Sequence, residues 1–141
     1  MQRNIEILHQ QPKSAGVMLI AYDHVLFVKE KSSGKWGFPK GSIEKGETPE
    51  ACWQRELLEE TTLDIKKYQY RTTYRKVRSR YLVHTVRMYL PRDAFQTMKE
   101  EMDQKSTTEI KTMKWFPLEE ASKMMDRVND VTRNTMTLKT H

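Results

Sequence analysis

Between Gly41 and Leu63 the chain reads GSIEKGETPEACWQRELLEETTL, and four of the six carboxylates in that window, Glu47, Glu56, Glu59 and Glu60, limit what it can fold into. Thr48 fits a helix N-cap and Pro49 the first helical position, so the spacing predicts a helix from there to about Thr61. Glu56, Glu59 and Glu60 then fall three and four residues apart and share one helix face. Like charges at that spacing weaken a helix by a few tenths of a kcal/mol per pair. A cation offsets that cost, and clustered hard oxygen ligands suit Mg²⁺ or Mn²⁺ with phosphate oxygens completing the shell. An isolated E-x-x-E-E is more often a solvated acidic face, so the residues around it decide between the two readings.

On the predicted helix Trp53 and Leu57 are one turn apart and point to the core. Cys52, Glu56, Glu59 and Glu60 point instead towards the preceding loop. That loop, Pro39 to Thr48, is shaped by Pro39, Gly41 and Gly46. It brings a backbone carbonyl near Lys40 or Gly41 as a further metal ligand. Arg55 is within reach of Glu47 or a helix carboxylate and can hold it in place.

With 141 residues the chain is read as a single domain, 1–141. Met1 to Gln11 does not resemble a signal peptide, and no apolar run approaches membrane-spanning length, so no membrane partner is expected. One cysteine, Cys52, excludes an intrachain disulfide and is compatible with a reducing compartment, hence the cytoplasm or the nucleus. A net charge of +6 favours polyanionic partners without naming one. Ser14 to Ala21 and Val25 to Glu30 read as strands, Lys35 to Phe38 as a short extended segment, and Leu63 to Leu90 as two β-rich runs joined by a basic hairpin. Asp93 to Gln104 reads as a weakly periodic helix, Ile110 to Phe116 as a strand and Pro117 to Val128 as a helix. Residues 129–141 are polar and Thr-rich, and read as a loosely held tail. Interleaved strands, hairpins and helices favour an α/β class: a mixed sheet with helices on its faces.

The whole pattern resembles the Nudix box, Gly-x5-Glu-x7-Arg-Glu-U-x-Glu-Glu-x-Gly-U, where U is aliphatic. Gly41, Glu47, Arg55, Glu56, Leu57, Glu59, Glu60 and Leu63 fall in register, and Thr62 stands where that family has a glycine. A glycine there ends the helix with positive φ, which a β-branched residue disfavours. The resemblance implies an α/β/α sandwich that hydrolyses a nucleoside diphosphate linked to another group. It also implies Mg²⁺ or Mn²⁺ on Glu56, Glu59 and Glu60, and a Glu47 that orients Arg55. Two or more cations would neutralise the pyrophosphate and activate water, leaving positioning as the protein's task.

The flanks, VLFVKE and KWGFPKG before the box and EIKTMKWF later, look like the catalytic Nudix domain of the messenger-RNA decapping enzyme. That likeness makes Glu109 a general base or further metal ligand. Capped RNA then becomes the leading substrate, releasing methylguanosine diphosphate and 5′-monophosphate RNA. The decapping subunit also has an α-helical regulatory domain before its Nudix domain and an RNA-binding helix after it, so the resemblance implies the fold and chemistry and not the substrate. Diadenosine or diphosphoinositol polyphosphates, or a damaged nucleotide, remain alternatives, and a catalytically silent RNA- or nucleotide-binding module ranks last. Lys66 to Arg80 holds no acidic residue and interleaves Tyr68, Tyr70 and Tyr74 with basic side chains, with Tyr81 next in line. Arg71, Arg75, Lys76, Arg78 and Arg80, with Lys40, are therefore candidate contacts for RNA phosphates and bases. An ordinary basic hairpin is the plainer reading. His84 is read as a sheet residue.

Overall fold

The structure, a computed structural model, describes residues 11–78 and 80–139. Strand β1 (Ser14–Ala21) lies at its centre and is buried along almost its whole length. Ala15, Val17, Leu19 and Ala21 enter one hydrophobic cluster, while Met18 and Ile20 enter the other. A strand covered on both faces has no polar side to show, which is why SAGVMLIA reads as one apolar run. β2 (His24–Glu30) divides in the same way: Leu26 and Val28 go to the first cluster, Val25 and Phe27 to the second.

Five further strands complete the sheet: β3 (Trp36–Gly37), β4 (Lys40–Ser42), β5 (Gln69–Arg78), β6 (Tyr81–Tyr89) and β7 (Ile110–Pro117). The main order is β3-β2-β1-β6-β5, with β4 also pairing β1 and β7 pairing β2. β1 runs parallel to β6 and antiparallel to β2 and β4, so the sheet is mixed. Its C-terminal end pairs with β2 through Ile20 and Val25, and its N-terminal end pairs with β4 from Ser14 to Gly16. The sheet therefore opens between β2 and β4. Helices α1 (Pro49–Thr61) and α2 (Arg92–Met102) cover the first cluster; α3 (Leu118–Ala121) and α4 (Asp130–Lys139) cover the second. This is the expected α/β/α sandwich.

α1 has the expected bounds. Thr48 Oγ1 accepts a hydrogen bond from the Ala51 N–H at 3.0 Å, Pro49 opens the helix, and Trp53 and Leu57 are fully buried. Thr62 ends it at φ 67°, in the left-handed region, with its N–H donating to Leu58 O. Its side chain is exposed and contributes little to offset that backbone. Thr62→Gly should therefore stabilise the protein by about 1 kcal/mol, raising the melting temperature by roughly 4 °C in a thermal unfolding scan.

Two expectations fail towards the C-terminus. The helix expected over Pro117 to Val128 reaches only from Leu118 to Ala121, and turns follow. The backbone beyond it is claimed by β3: the Trp36 N–H donates to Arg127 O, the Asn129 N–H donates to Trp36 O, and Trp36 bridges Val128. Of residues 129–141, expected to be loosely held, Asp130–Lys139 form α4, and 140–141 lie outside the described residues. Thr132 and Thr135 are buried on one face with Val131 and Met136 beside them, at helical spacing. Their hydroxyls are satisfied, Thr132 accepting from the Phe38 N–H and Thr135 donating to Val131 O, so buried threonine is tolerated there. The weakly periodic segment after Leu90 does form a helix, α2, because Phe95 and Met102 anchor it and Phe95 meets Trp115 edge-on at 5.1 Å.

Candidate active site

α1 presents its glutamates to the opening between β2 and β4, and Arg55 organises them. Its Nε and Nη2 grip the Glu47 carboxylate at 2.8 and 3.0 Å, a bidentate fork. Nη1 reaches Glu56 at 2.8 Å and Glu59 at 3.3 Å, and Nη2 also donates to Ser42 O at 3.0 Å. The Glu44 N–H adds a bond to Glu47. The Arg55 guanidinium, helped by that N–H, holds the Glu47 carboxyl down at about 2.

The three helix glutamates do not share one environment. Glu56 and Glu60 are buried, whereas the Glu59 side chain is 57% exposed and turned to Arg55. Glu60 receives the Lys40 N–H at 3.3 Å and lies hydrogen-bonded beside Glu56. Burial first, and the Glu56 carboxylate second, push the Glu60 carboxyl up to about 9. Gly41 makes room for this pair, since a Cβ at residue 41 would run into the Glu56 carboxyl group. At Lys40 it is the N–H that meets the cluster. Cys52 is buried behind it, with its thiol donating weakly to the Gly41 and Ser42 carbonyls.

These two shifts act on opposite sides of neutral pH. Glu60 holds in the folded state a proton that it releases above about 4.5 when unfolded, so its contribution is complete below pH 4.5 and is lost as pH rises through 9. Glu47 behaves inversely: its contribution is present above 4.5 and lost as pH falls through 2. Metal-free protein should thus show a melting temperature that declines from about pH 5 to pH 9. Glu60→Gln should flatten that decline.

Among the described residues no three His, Cys, Asp or Glu side chains already stand together as a metal cage. The donor set nevertheless fits a hard divalent cation. Two buried carboxylates lie side by side where a cation could sit, and Glu59 follows on the same helix. Mg²⁺ commonly keeps several waters and takes few protein carboxylates.

Beside the pair opens a cavity of about 310 Å³, lined by Glu30, Lys31, Ser32, Lys40, Glu60 and Glu109. Glu109 is placed there by the frayed end of the β2–β7 ladder. The register shifts between Lys29 and Glu30, leaving Lys111 as an extra residue, and the Lys31 N–H donates to Glu109 O. Bulges of this kind re-aim side chains next to functional sites. Sequence reasoning found Glu109 and Lys40 but missed Glu30, although the period-two run Leu26, Val28, Glu30 points it to the α1 side.

The basic hairpin is built as expected from β5 and β6, and Arg71, Arg75 and Arg80 are exposed. Arg71 and Arg75 do not share one face of it. A bulge at Thr73 shifts the register, leaving Arg71 opposite Arg87 and Arg75 opposite His84. Positions 84 and 87 point to opposite faces of β6, so Arg71 and Arg75 do too. The side chains of Lys76, Arg78 and Tyr74 lie outside those described. Tyr70 and Tyr81 are engaged in packing: Tyr70 sits edge-on to Trp53 and accepts from Gln54, and the Tyr81 hydroxyl is buried. His84 is a buried sheet residue whose imidazole is held down at about 4, mainly by burial and then by Arg75.

The fold agrees with the comparisons to known proteins. The NUDIX domain family model matches residues 10–137. The chain belongs to the NUDIX domain family. It is 42% identical over 53 residues to mRNA-decapping enzyme subunit 2 of Arabidopsis thaliana, covering 38% of this chain and 14% of that protein. It is 32% identical over 97 residues to the RNA pyrophosphohydrolase of Vibrio atlanticus, covering 69% of this chain and 49% of that protein. The chain thus spans less than half the length of these relatives. A NUDIX hydrolase from Nitrosomonas europaea shares the fold with a TM-score of 0.62 at 18% identity, over 90% of this chain and 69% of that one. No helix among the described residues is long and apolar enough to cross a membrane.

Proposed function

We propose that this chain hydrolyses the pyrophosphate bond of capped RNA, releasing a methylguanosine diphosphate and a 5′-monophosphate RNA. The observation that carries the chemistry is Glu60, buried beside Glu56 and lining a cavity with Lys40 and Glu109. Mg²⁺ or Mn²⁺ held by Glu56 and Glu60, with Glu59 turned in and the Lys40 carbonyl as a further donor, would neutralise the bridging phosphates and make phosphorus more electrophilic. The remaining work falls to side chains. Arg55 fixes Glu56 from one side and is itself fixed by Glu47, so the cluster holds its shape without substrate. Lys40 offers its ammonium to a phosphate oxygen. Glu109, exposed at the cavity rim, accepts a proton from the attacking water.

RNA as the substrate is supported by the two relatives, both named for action on RNA, and by the exposed arginines of the β5–β6 hairpin. A reducing, cytoplasmic setting belongs to the same proposal and suits the single buried thiol. The separation of Arg71 from Arg75 onto opposite faces favours a second reading, a small substrate such as a diadenosine or diphosphoinositol polyphosphate. Cap-labelled RNA incubated with protein and Mn²⁺ should yield labelled methylguanosine diphosphate, with an affinity that falls steeply as salt is added. Intact capped RNA alongside cleaved diadenosine tetraphosphate would overturn the RNA reading and leave the small polyphosphate.

A further inference from the structure

Glu30 takes no part in the cluster built on α1, yet it shares the cavity with Glu60, Glu109, Lys31 and Lys40. Its Oε2 lies 3.7 Å from Lys40 Nζ, with both side chains about 30% exposed. Neither backbone is free to drift. The Glu30 N–H donates to Lys35 O, its carbonyl accepts from the Gly34 N–H, and its Cα sits opposite Ile110 on β7. Lys40 is paired to Gly16 within β4 and gives its N–H to Glu60. The ion pair therefore spans the opening between β2 and β4, at the mouth of the cavity.

Three of the lining residues, Glu30, Glu60 and Glu109, are acidic, so a phosphate group entering the cavity needs the two lysines as counter-charge. One of them, Lys40, already faces the Glu30 carboxylate. We propose that Glu30 is the exchange partner of Lys40: an incoming phosphate displaces the Glu30 carboxylate from the ammonium, and the carboxylate recaptures the ammonium as product leaves. Glu30 is then a positioning residue acting through Lys40, and it sets a threshold that an anion must exceed to enter. This inference rests on the hydrolase reading given above. A partly exposed pair of this kind is weak enough to exchange, and strong enough to read out as a several-fold change in affinity.

The test measures binding of inorganic pyrophosphate, with EDTA present, by amide chemical-shift titration of the unmodified protein, Glu30→Gln, Lys40→Met and the double variant. Glu30→Gln should bind about fivefold more tightly, and that gain should vanish in the Lys40→Met background. Equal tightening in both backgrounds would reduce Glu30 to a diffuse field effect and overturn the exchange. Unchanged or weaker binding in Glu30→Gln would overturn it as well. Loss of Mn²⁺ affinity in Glu30→Gln would make Glu30 a metal ligand instead. In turnover, Glu30→Gln should lower KM and kcat together, because product leaves more slowly. If the unmodified protein cleaves no pyrophosphate-bonded substrate while the titration pattern holds, the hydrolase reading fails and the exchange pair stands.

Discussion

Glu60→Gln should cut pyrophosphate hydrolysis by about a thousandfold while leaving the metal-free protein at least as stable. The side chain is 5% exposed and sits against Glu56, so in the absence of a cation it holds a proton. A neutral amide of the same shape reproduces that state, and the fold has no reason to suffer. What the amide cannot do is supply a negative oxygen to a divalent ion. Mn²⁺ should therefore raise the melting temperature of the unmodified protein and have little effect on the variant, since a ligand stabilises only the state that binds it. Steady-state rates and melting curves with and without Mn²⁺ decide the matter. Full activity in both Glu60→Gln and Glu59→Gln would remove the case for a metal cluster.

Arg55→Ala should cost about 3 kcal/mol of folding stability and abolish turnover with it. The guanidinium is shared by Glu47, Glu56, Glu59 and the Ser42 carbonyl, and the first two carboxylates are only 13% and 11% exposed. Removing the cation leaves both charged and largely desolvated. Arg55→Lys should recover little, because one ammonium cannot reproduce the fork on Glu47 while also reaching Glu56. Urea unfolding near pH 7 measures the loss. A cost below about 1 kcal/mol would place Arg55 among ordinary surface ion pairs and leave Glu47 without its role.

The cluster was legible in advance because its parts are close in sequence. Thr48, Pro49 and the spacing of Trp53 and Leu57 set the start and facing of α1, and the glutamates follow from helical geometry. Arg55 could be assigned to Glu47 for the same reason. The failures share a cause. PLEEASKMMDRV has the composition and periodicity of a helix, yet after Ala121 its backbone closes only short turns, and Arg127 O and Val128 are held by Trp36, more than eighty positions earlier in the chain. The Thr-rich segment after Asn129 lacks helical propensity, but burial of Thr132 and Thr135 against the second cluster outweighs it. The basic hairpin was legible as secondary structure, but a bulge at Thr73 sets Arg71 and Arg75, which simple alternation would place on one face, on opposite faces.

By itself the sequence determined the helix that carries the carboxylates, its caps, the apolar strands beneath it and the bond chemistry these residues suit. All of these depend on periodicity and on interactions within a turn or two of chain. Only the tertiary structure decided that Glu56 and Glu60 are buried together while Glu59 faces solvent. It also decided that Lys40, Glu30 and Glu109 meet at one cavity. Burial and proximity across β2, β4, α1 and β7 depend on how the sheet opens, and no local pattern encodes where two strands part.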